Sequence, residues 1–595
     1  MDDAARIQQA MHAIQSGRNA DGIAIAREIS PASPVYPQAL HLLGVANTQL
    51  GNAAAGLPLL LAALERGDMS PSLLTNIATA ARVCGRIDAG LISLLQQKLV
   101  DRRSVRDTLS LIFPLLNALG FHKSNDYETL ERIHYGCALP MLRWSLAQGA
   151  FDHALALEVQ CYEHFVKQRE TEDHFRDKLN EWVPDMLAAG RRLRIRLPPL
   201  PAPVEGGRQR IGFFIHNAST LAHIEALINV LDGYQQLADK PFDPVIYCFG
   251  GEDAAMQQRF RQIGVPVILL DKEYPETKDS FYTRLTRLRE RLHTDGVNCL
   301  VWVSLAIMMP LAFAMRVAPV QIWWSMKYHG LGFDEIDGYV TSGSFSRTEV
   351  KQGRVWRAGR LQVAGRYDPS LRPEADAIVA QYRPAKILGT LARHELIRSP
   401  RFLDAVIAIL QRNRDAIFLW TGREEAADIS SRFRDAGVID QTRFLGWVNI
   451  KVYAQVLDVF LDTFPFGCGF TVLDTMAAGT PVVFMAADPQ SEDPSYDRIL
   501  WSMIDGKTGT AEDTALARGI LADKDGSILF QHATDSEDYV ARATRLLHDS
   551  DYAKAVGDAE QRFMEAMMSN PSQSARDFAD HFMAVIAERR AQGYP

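Results

Sequence analysis

The chain is short of the features that mark several protein classes. Its 595 residues hold six cysteines (Cys84, Cys137, Cys161, Cys248, Cys299 and Cys468), widely scattered and without a CxxC pair. That excludes a disulfide scaffold and a paired-cysteine zinc site, and it favours free thiols in a reducing compartment. Charge of one sign is also scarce: the net charge is -8 and the pI near 6.0, which argues against a broad nucleic-acid-binding face. No apolar run reaches the roughly 20 residues a membrane span needs. The nearest, Leu300 to Met315, contains Pro310 and stops at Arg316, so it is expected to be a buried strand followed by a helix. The opening MDDAARIQQA lacks the basic and then apolar order of a secretory signal, and a cytoplasmic location is expected. No P-loop, GxSxG elbow or GxGxxG turn is present, which removes the NTPase, esterase and dehydrogenase readings. The two DxD triplets, Asp523-Lys524-Asp525 and Asp549-Ser550-Asp551, sit in polar stretches, not at the end of an apolar strand, so no metal is expected.

What is present is periodic. Gly17, Gly51 and Gly85 are 34 residues apart, as are Gly22, Gly56 and Gly90, with Leu43 matching Ile77 and Ala46 matching Ala80. A period of 34 with apolar helices flanking a glycine turn is that of tetratricopeptide-like helix pairs. Further amphipathic helices follow, with Gly149 at another turn, and residues 1–195 are read as an all-α helical repeat domain. Residues 196–208, with Pro198, Pro199, Pro201 and Pro203, form an extended linker. Arg191, Arg192, Arg194 and Arg196 just before it read as a solvated basic stretch.

From Ile211 short apolar runs alternate with helix-length gaps. The first set is IGFFI, PVIYCF, VPVILL, NCLVWV, VQIWW and GYVTS; the second is KILGTL, AIFLW, TRFLG, LDVFLD and PVVFMA. Continuous apolar runs of this kind are strands buried on both faces of a parallel sheet. Two doubly wound α/β domains are therefore expected, residues 209–372 and 373–569, with residues 570–595 as a helix packing back across the first. Ligands of such sheets bind beyond the carboxyl ends of the strands.

One such strand end reads LDTFPFGCGFTVLDTMAAGTP, from Leu461 to Pro481. Backbone N–H groups around Gly467, Gly469 and Phe470 would be left free at the start of the next helix, where the dipole favours an anion and glycine permits close approach. Thr471 can donate to a phosphate; Asp474 either binds ligand or complements the helix dipole. A nucleotide-sugar diphosphate fits this position. After KILGTL, Arg393, His394 and Arg398 precede Ser399-Pro400, a cap and first-turn pair, and cations there suit a diphosphate. His216 and His223 follow IGFFI, and His329 lies in MKYHG, so all three are candidates at the cleft of the first α/β domain.

The stretch from about Ile211 to Ile586 resembles the inverting GT-B glycosyltransferases of the O-GlcNAc transferase family. It is especially similar to the bacterial cytoplasmic enzymes that modify adhesins on asparagine. IGFFIHNASTLAH, RVAPVQIWWSMKYHG, LARHELIRSPRFLDAV and FPFGCGFTVLDTMAAGTPVV carry the likeness, above all FPFG followed seven residues later by Asp474. The resemblance implies that Asp474 holds the ribose, that Trp447, Lys451 and Tyr453 contact the uracil and ribose, and that His223 is the active-site histidine. Simple packing is the alternative for Trp447. The family's phosphate-binding lysine aligns with Ile397, which passes that role to Arg398 or Arg393. The expected function is inverting, metal-independent transfer of a hexose or N-acetylhexosamine from a UDP-sugar to a protein side chain. The expected acceptor is an adhesin or flagellin, modified on Asn or Ser/Thr and met by the N-terminal helical domain, and no cofactor beyond the UDP-sugar co-substrate is expected. The alternatives are a non-catalytic scaffold and an enzyme using a CMP- or GDP-linked sugar.

Overall fold

The computed structural model describes residues 2–68, 70–101, 104–121, 127–167, 177–200, 208–218, 221–252, 254–278, 280–303, 306–324, 331–340, 367–422, 424–486, 500–501, 503–506, 510–568 and 571–593. The chain divides into two compact units, Met1–Gln168 and Arg169–Pro595.

The first unit is made of paired helices: Asp3–Gln15 with Asn19–Arg27, Tyr36–Gln49 with Ala53–Glu65, and Pro71–Val83 with Ala89–Val100. The two glycine registers have separate causes. Gly17, Gly51 and Gly85 end the first helix of each pair at φ of 77°, 83° and 68°, the left-handed conformation glycine adopts without penalty. Gly22 and Gly56 lie inside the second helices because of close packing. A Cβ on Gly22 would sit 2.4 Å from Ile14 Cγ1, and one on Gly56 would sit 2.6 Å from the Gly44 carbonyl. At Gly90 the nearest atom is Asp88 Oδ1 at 3.3 Å, so the third copy has lost that tight contact.

In the second unit every strand pairing is parallel, as continuous apolar runs require. The first sheet contains β1 (Gln209–Ala218), β2 (Phe242–Glu252), β3 (Val267–Leu269), β4 (Cys299–Val303), β5 (Val320–Trp324) and β6 (Gly338–Val340), in the order β3-β2-β1-β4-β5-β6. The second contains β7 (Lys386–Thr390), β8 (Ala416–Trp420), β9 (Thr442–Phe444), β10 (Val459–Leu461), β11 (Val482–Met485) and β12 (Gln531–Ala533), in the order β12-β11-β10-β7-β8-β9. Eleven of these strands coincide with the apolar runs. β12 does not, because its buried Gln531 is polar and is satisfied by the Leu529 carbonyl and the Tyr552 hydroxyl. Every residue of β4 and β5 is buried, and the apolar stretch near residue 300 resolves into β4 and the short Met309–Ala314 helix. No helix among the described residues is long and apolar enough to cross a membrane.

Two flanking helices close the first sheet's layers. Val183–Arg194 packs on Met309–Ala314, where a Cβ on Gly190 would lie 2.7 Å from the Leu311 carbonyl. Arg191 is not merely solvated: it makes a two-pronged ion pair with Glu335, at 2.5 and 3.0 Å. Pro571–Ala591 packs on Ala222–Gln235 and on β5 and β6, with Phe578 against Trp324 and Val585 over Gly338. Beneath it the buried Asp337 accepts from Arg316 at 2.5 Å and lies 3.0 Å from Arg589. A buried carboxylate requires such partners, which gives Arg316 and Asp337 a structural role.

Candidate functional site

In the second sheet β7 lies between β10 and β8. The chain leaves β7 toward β8 and leaves β10 in the opposite direction toward β11, so their connections diverge and a crevice opens between the loops that follow β7 and β10. This is the ligand position of an open parallel sheet. Both anion-facing segments read from the sequence lie on it. The loops touch: Thr390 Oγ1, at the end of β7, is 3.3 Å from Cys468 Sγ, and the Phe402 ring meets the Phe464 ring edge-on at 5.6 Å.

The turn after β10 is held from within. Asp462 is buried and its Oδ1 accepts the Cys468 N–H at 2.6 Å, while Thr463 Oγ1 donates to the Phe466 carbonyl at 2.6 Å. The Tyr539 hydroxyl donates to the Asp462 carbonyl at 2.8 Å, and Phe464–Pro465 is a cis peptide. A Cβ on Gly467 would stand 2.7 Å from Asp462 Oδ2, so this position has no room for a side chain. Gly469 (φ 67°, ψ −131°) starts the Phe470–Ala477 helix with open space around it and no side-chain cap. The helix therefore presents an uncapped N-terminus to the crevice, the electropositive end that suits a phosphate. Thr471 is half-buried at its second position. Asp474 is half-buried at the fifth, beyond the first turn, where a dipole effect has faded and a purely dipolar reason for a carboxylate is weak.

The loop after β7 separates its cations. Arg393 precedes the His394–Ile397 helix, is exposed, and pairs with no carboxylate among the described residues. Arg398 is committed elsewhere: its Nε lies 2.9 Å from Asp428 Oδ2. Ile397, which the resemblance aligns with a phosphate-binding lysine, is wholly buried in the core. His394 packs beside Gly422 at the end of β8, and Thr421 Oγ1 ties that loop to the Ala392 carbonyl at 2.8 Å. Arg401 was missed by sequence reasoning. It stands in the first turn of the Pro400–Arg412 helix with its guanidinium 5.9 Å from the Phe464 ring centroid, beside the FPFG turn. Its place after Ser399-Pro400 was a visible signal, but its neighbour lies 63 residues away in the chain.

Trp447 follows β9 and is 76% exposed, so core packing does not account for it. Lys451 is exposed in the Ile450–Tyr453 helix, where its N–H is capped by Asn449. Tyr453 is half-buried on the side of the Arg372–Tyr382 helix, and burial, with Tyr382 and Glu374 nearby, raises its hydroxyl pKa.

In the first sheet the divergence falls between β1 and β4. His216, near the end of β1, is boxed by Phe214, Trp302 and Phe249, with ring centroids 5.3, 5.5 and 6.1 Å away. Burial, reinforced by His223 and Arg284, pushes its pKa down to about 3, so the imidazole is neutral at physiological pH. Its Nε2 has no hydrogen-bond partner among the described residues. His223 is half-buried in the first turn of the Ala222–Gln235 helix, just beyond the end of β1. His329 lies outside the described residues.

Residues 386–549 match the family described as glycosyl transferases group 1. No curated protein matches the chain. Among solved structures, a mutant of the O-GlcNAc transferase of Thermobaculum terrenum is similar, with 18% identity over 99% of both chains and a TM-score of 0.52. The pneumococcal O-GlcNAc transferase GtfA in complex with UDP and GlcNAc is 10% identical over 64% of this chain and 99% of its own, with a TM-score of 0.41. WaaG, a glycosyltransferase involved in lipopolysaccharide biosynthesis, is 10% identical over 61% of this chain and 98% of its own, with a TM-score of 0.39. The first of these likenesses, with the two parallel six-stranded sheets, makes the architecture GT-B behind a helix-rich N-terminal region.

Proposed function

We propose that this chain, a glycosyltransferase whose residues 386–549 carry a group 1 domain in a GT-B frame, transfers a hexose or N-acetylhexosamine from a UDP-sugar to protein side chains with inversion and without a metal. The observation that carries the reading is the convergence of the uncapped Phe470–Ala477 helix and the cationic loop after β7 on one crevice. Glycosyl transfer requires charge stabilisation on the departing diphosphate, and positioned N–H groups and guanidiniums supply it. In this reading the helix N-terminus and Thr471 hold the phosphates with Arg393, joined by Arg401, and His394 lines the same loop. Asp474 holds the ribose, Trp447 offers an exposed aromatic face to the base, and Lys451 and Tyr453 frame it. Arg398 acts through Asp428, as a positioning residue.

On the acceptor side His223 takes or orients the proton of the attacking side chain, and the neutral His216 supports it. The acceptor nucleophile bonds to the anomeric carbon as the bond to the UDP oxygen breaks, which inverts the centre. Within the N-terminal unit a groove of about 600 Å³ is lined by apolar Ile7, Met11 and Leu42 and by the amides of Gln8, Gln38 and Asn76. A mixed apolar and amide surface suits an extended polypeptide, which supports an acceptor protein as its partner; in this reading that acceptor is an adhesin or flagellin met in the cytoplasm.

Calorimetric titration with UDP, GDP and CMP in the presence of EDTA tests the reading. Selective UDP binding that Asp474→Ala abolishes is the expected result. Binding of GDP or CMP in its place moves the donor class, and no binding of any nucleotide overturns the enzyme reading in favour of a scaffold.

A further inference from the structure

A second cavity, of about 520 Å³, lies at the opposite edge of the first sheet, among the strand starts of β1 and β2 and the end of the Phe281–Thr294 helix. Arg210 is the second residue of β1 and His216 lies near its other end. Six residue steps along the strand separate them, or about 20 Å at the usual rise, so this cavity is remote from the transfer site.

Four cations line it, Arg208, Arg210, Lys240 and Arg291, against two carboxylates, Asp243 and Asp295. Three of the four are held in place. Arg208 lies 3.2 Å from Asp243, Arg210 Nη1 donates to the Asp295 carbonyl at 2.5 Å, and Arg291 Nε donates to Asp295 at 2.9 Å. Asp295 is in turn fixed by the Tyr247 hydroxyl at 2.7 Å. Each guanidinium keeps further N–H groups in a rigid fork. Lys240 and Gln235 are half-buried in the same wall, and neither side chain has a hydrogen-bond or ion-pair partner among the described residues. A half-buried ammonium with no ion pair of its own, beside pre-oriented guanidiniums, is suited to an anionic ligand.

We propose that this cavity binds the phosphate group of a soluble phosphorylated small molecule. Glu273 also pairs with Arg291, so the cluster keeps an excess of one positive charge, and its forked guanidinium donors beside an ammonium match the several oxygens of a phosphate better than a single carboxylate. The volume leaves room for more than the phosphate itself. Lys240 supplies the point charge, Arg210 and Arg208 the forked donors, and Gln235 a neutral donor at the rim.

The test is calorimetric titration of the full chain with inorganic pyrophosphate, with UDP added in excess to fill the donor crevice. One bound pyrophosphate is expected, its affinity reduced about tenfold by Lys240→Gln and by Arg210→Gln, each about 1.4 kcal/mol. It should be unchanged by Asp474→Ala, which separates this site from the donor site even if UDP itself fails to bind. Gln235→Leu leaves every cation in place and should weaken binding less; thermal midpoints matched to the parent show that each variant is folded. Absence of binding at millimolar pyrophosphate overturns the proposal, as does an affinity that both cation variants leave intact.

Discussion

The Asp462 carboxylate accepts the Cys468 backbone N–H at 2.6 Å, closing the turn that carries Gly467 and sets the start of the Phe470–Ala477 helix. The acid at the end of β10 is thus an internal brace of the loop. It also helps to explain Cys468, whose thiol is pushed up by burial and by Asp462 and stays protonated between two threonine hydroxyls.

Removing the brace should loosen the site. Asp462→Ala is expected to destabilise the protein by about 1–3 kcal/mol, since a buried N–H loses its acceptor, and to weaken nucleotide binding. Gly467→Ala, whose Cβ would lie 2.7 Å from Asp462 Oδ2, should do the same. Urea titration beside UDP calorimetry checks both; wild-type UDP affinity in either variant would refute the bracing role.

Asp474 and His223 should separate binding from transfer. Asp474→Ala is expected to lower nucleotide affinity at least about tenfold, whereas His223→Ala should lower the transfer rate about a hundredfold or more with nucleotide affinity intact. Calorimetry and radiolabelled sugar transfer measure the two. Full activity in both variants would show that the crevice is not the site.

The arginines should sort by their partners. Arg398→Ala breaks a partly exposed pair with Asp428 and is expected to change stability by about 1 kcal/mol or less. Arg393→Ala and Arg401→Ala should each lower UDP affinity about tenfold, the worth of one charge-assisted hydrogen bond. A larger loss of affinity from Arg398→Ala than from the other two would reverse the assignment.

Two titratable groups set opposite pH slopes. Glu560 is wholly buried, accepts among the described residues only from the Val482 N–H, and has its pKa raised well above the usual 4.5 by burial. The folded state then holds a proton the unfolded state has lost, so stability falls as pH rises above 4.5, by about 1.4 kcal/mol per pH unit until the folded pKa is reached. Glu560→Gln should remove that slope and raise Tm at pH 8. His216, with its pKa down at about 3, acts the other way: stability is complete above 6.5 and is lost as pH falls from 6.5 toward 3. His216→Phe should flatten the acid limb. Melting curves between pH 4 and 9 decide, and parallel curves for parent and variants would refute both.

A large part of this protein was legible in its sequence. The 34-residue glycine registers fixed the helix pairs, and eleven apolar runs became eleven strands, because periodicity and continuous burial are local properties written in neighbouring residues. The FPFG turn and its glycines were visible for the same reason. Only the tertiary structure decided what depends on distant partners. It paired Arg398 with Asp428, set Arg401 against Phe464, exposed Trp447, and admitted the polar β12 as a strand. It laid the Val183–Arg194 helix on Met309–Ala314 and gathered Lys240 with Arg208, Arg210 and Arg291 around one cavity. A sequence pattern tells which face of an element is apolar, but the neighbour that covers it and the charge that answers it are selected by packing across the whole fold.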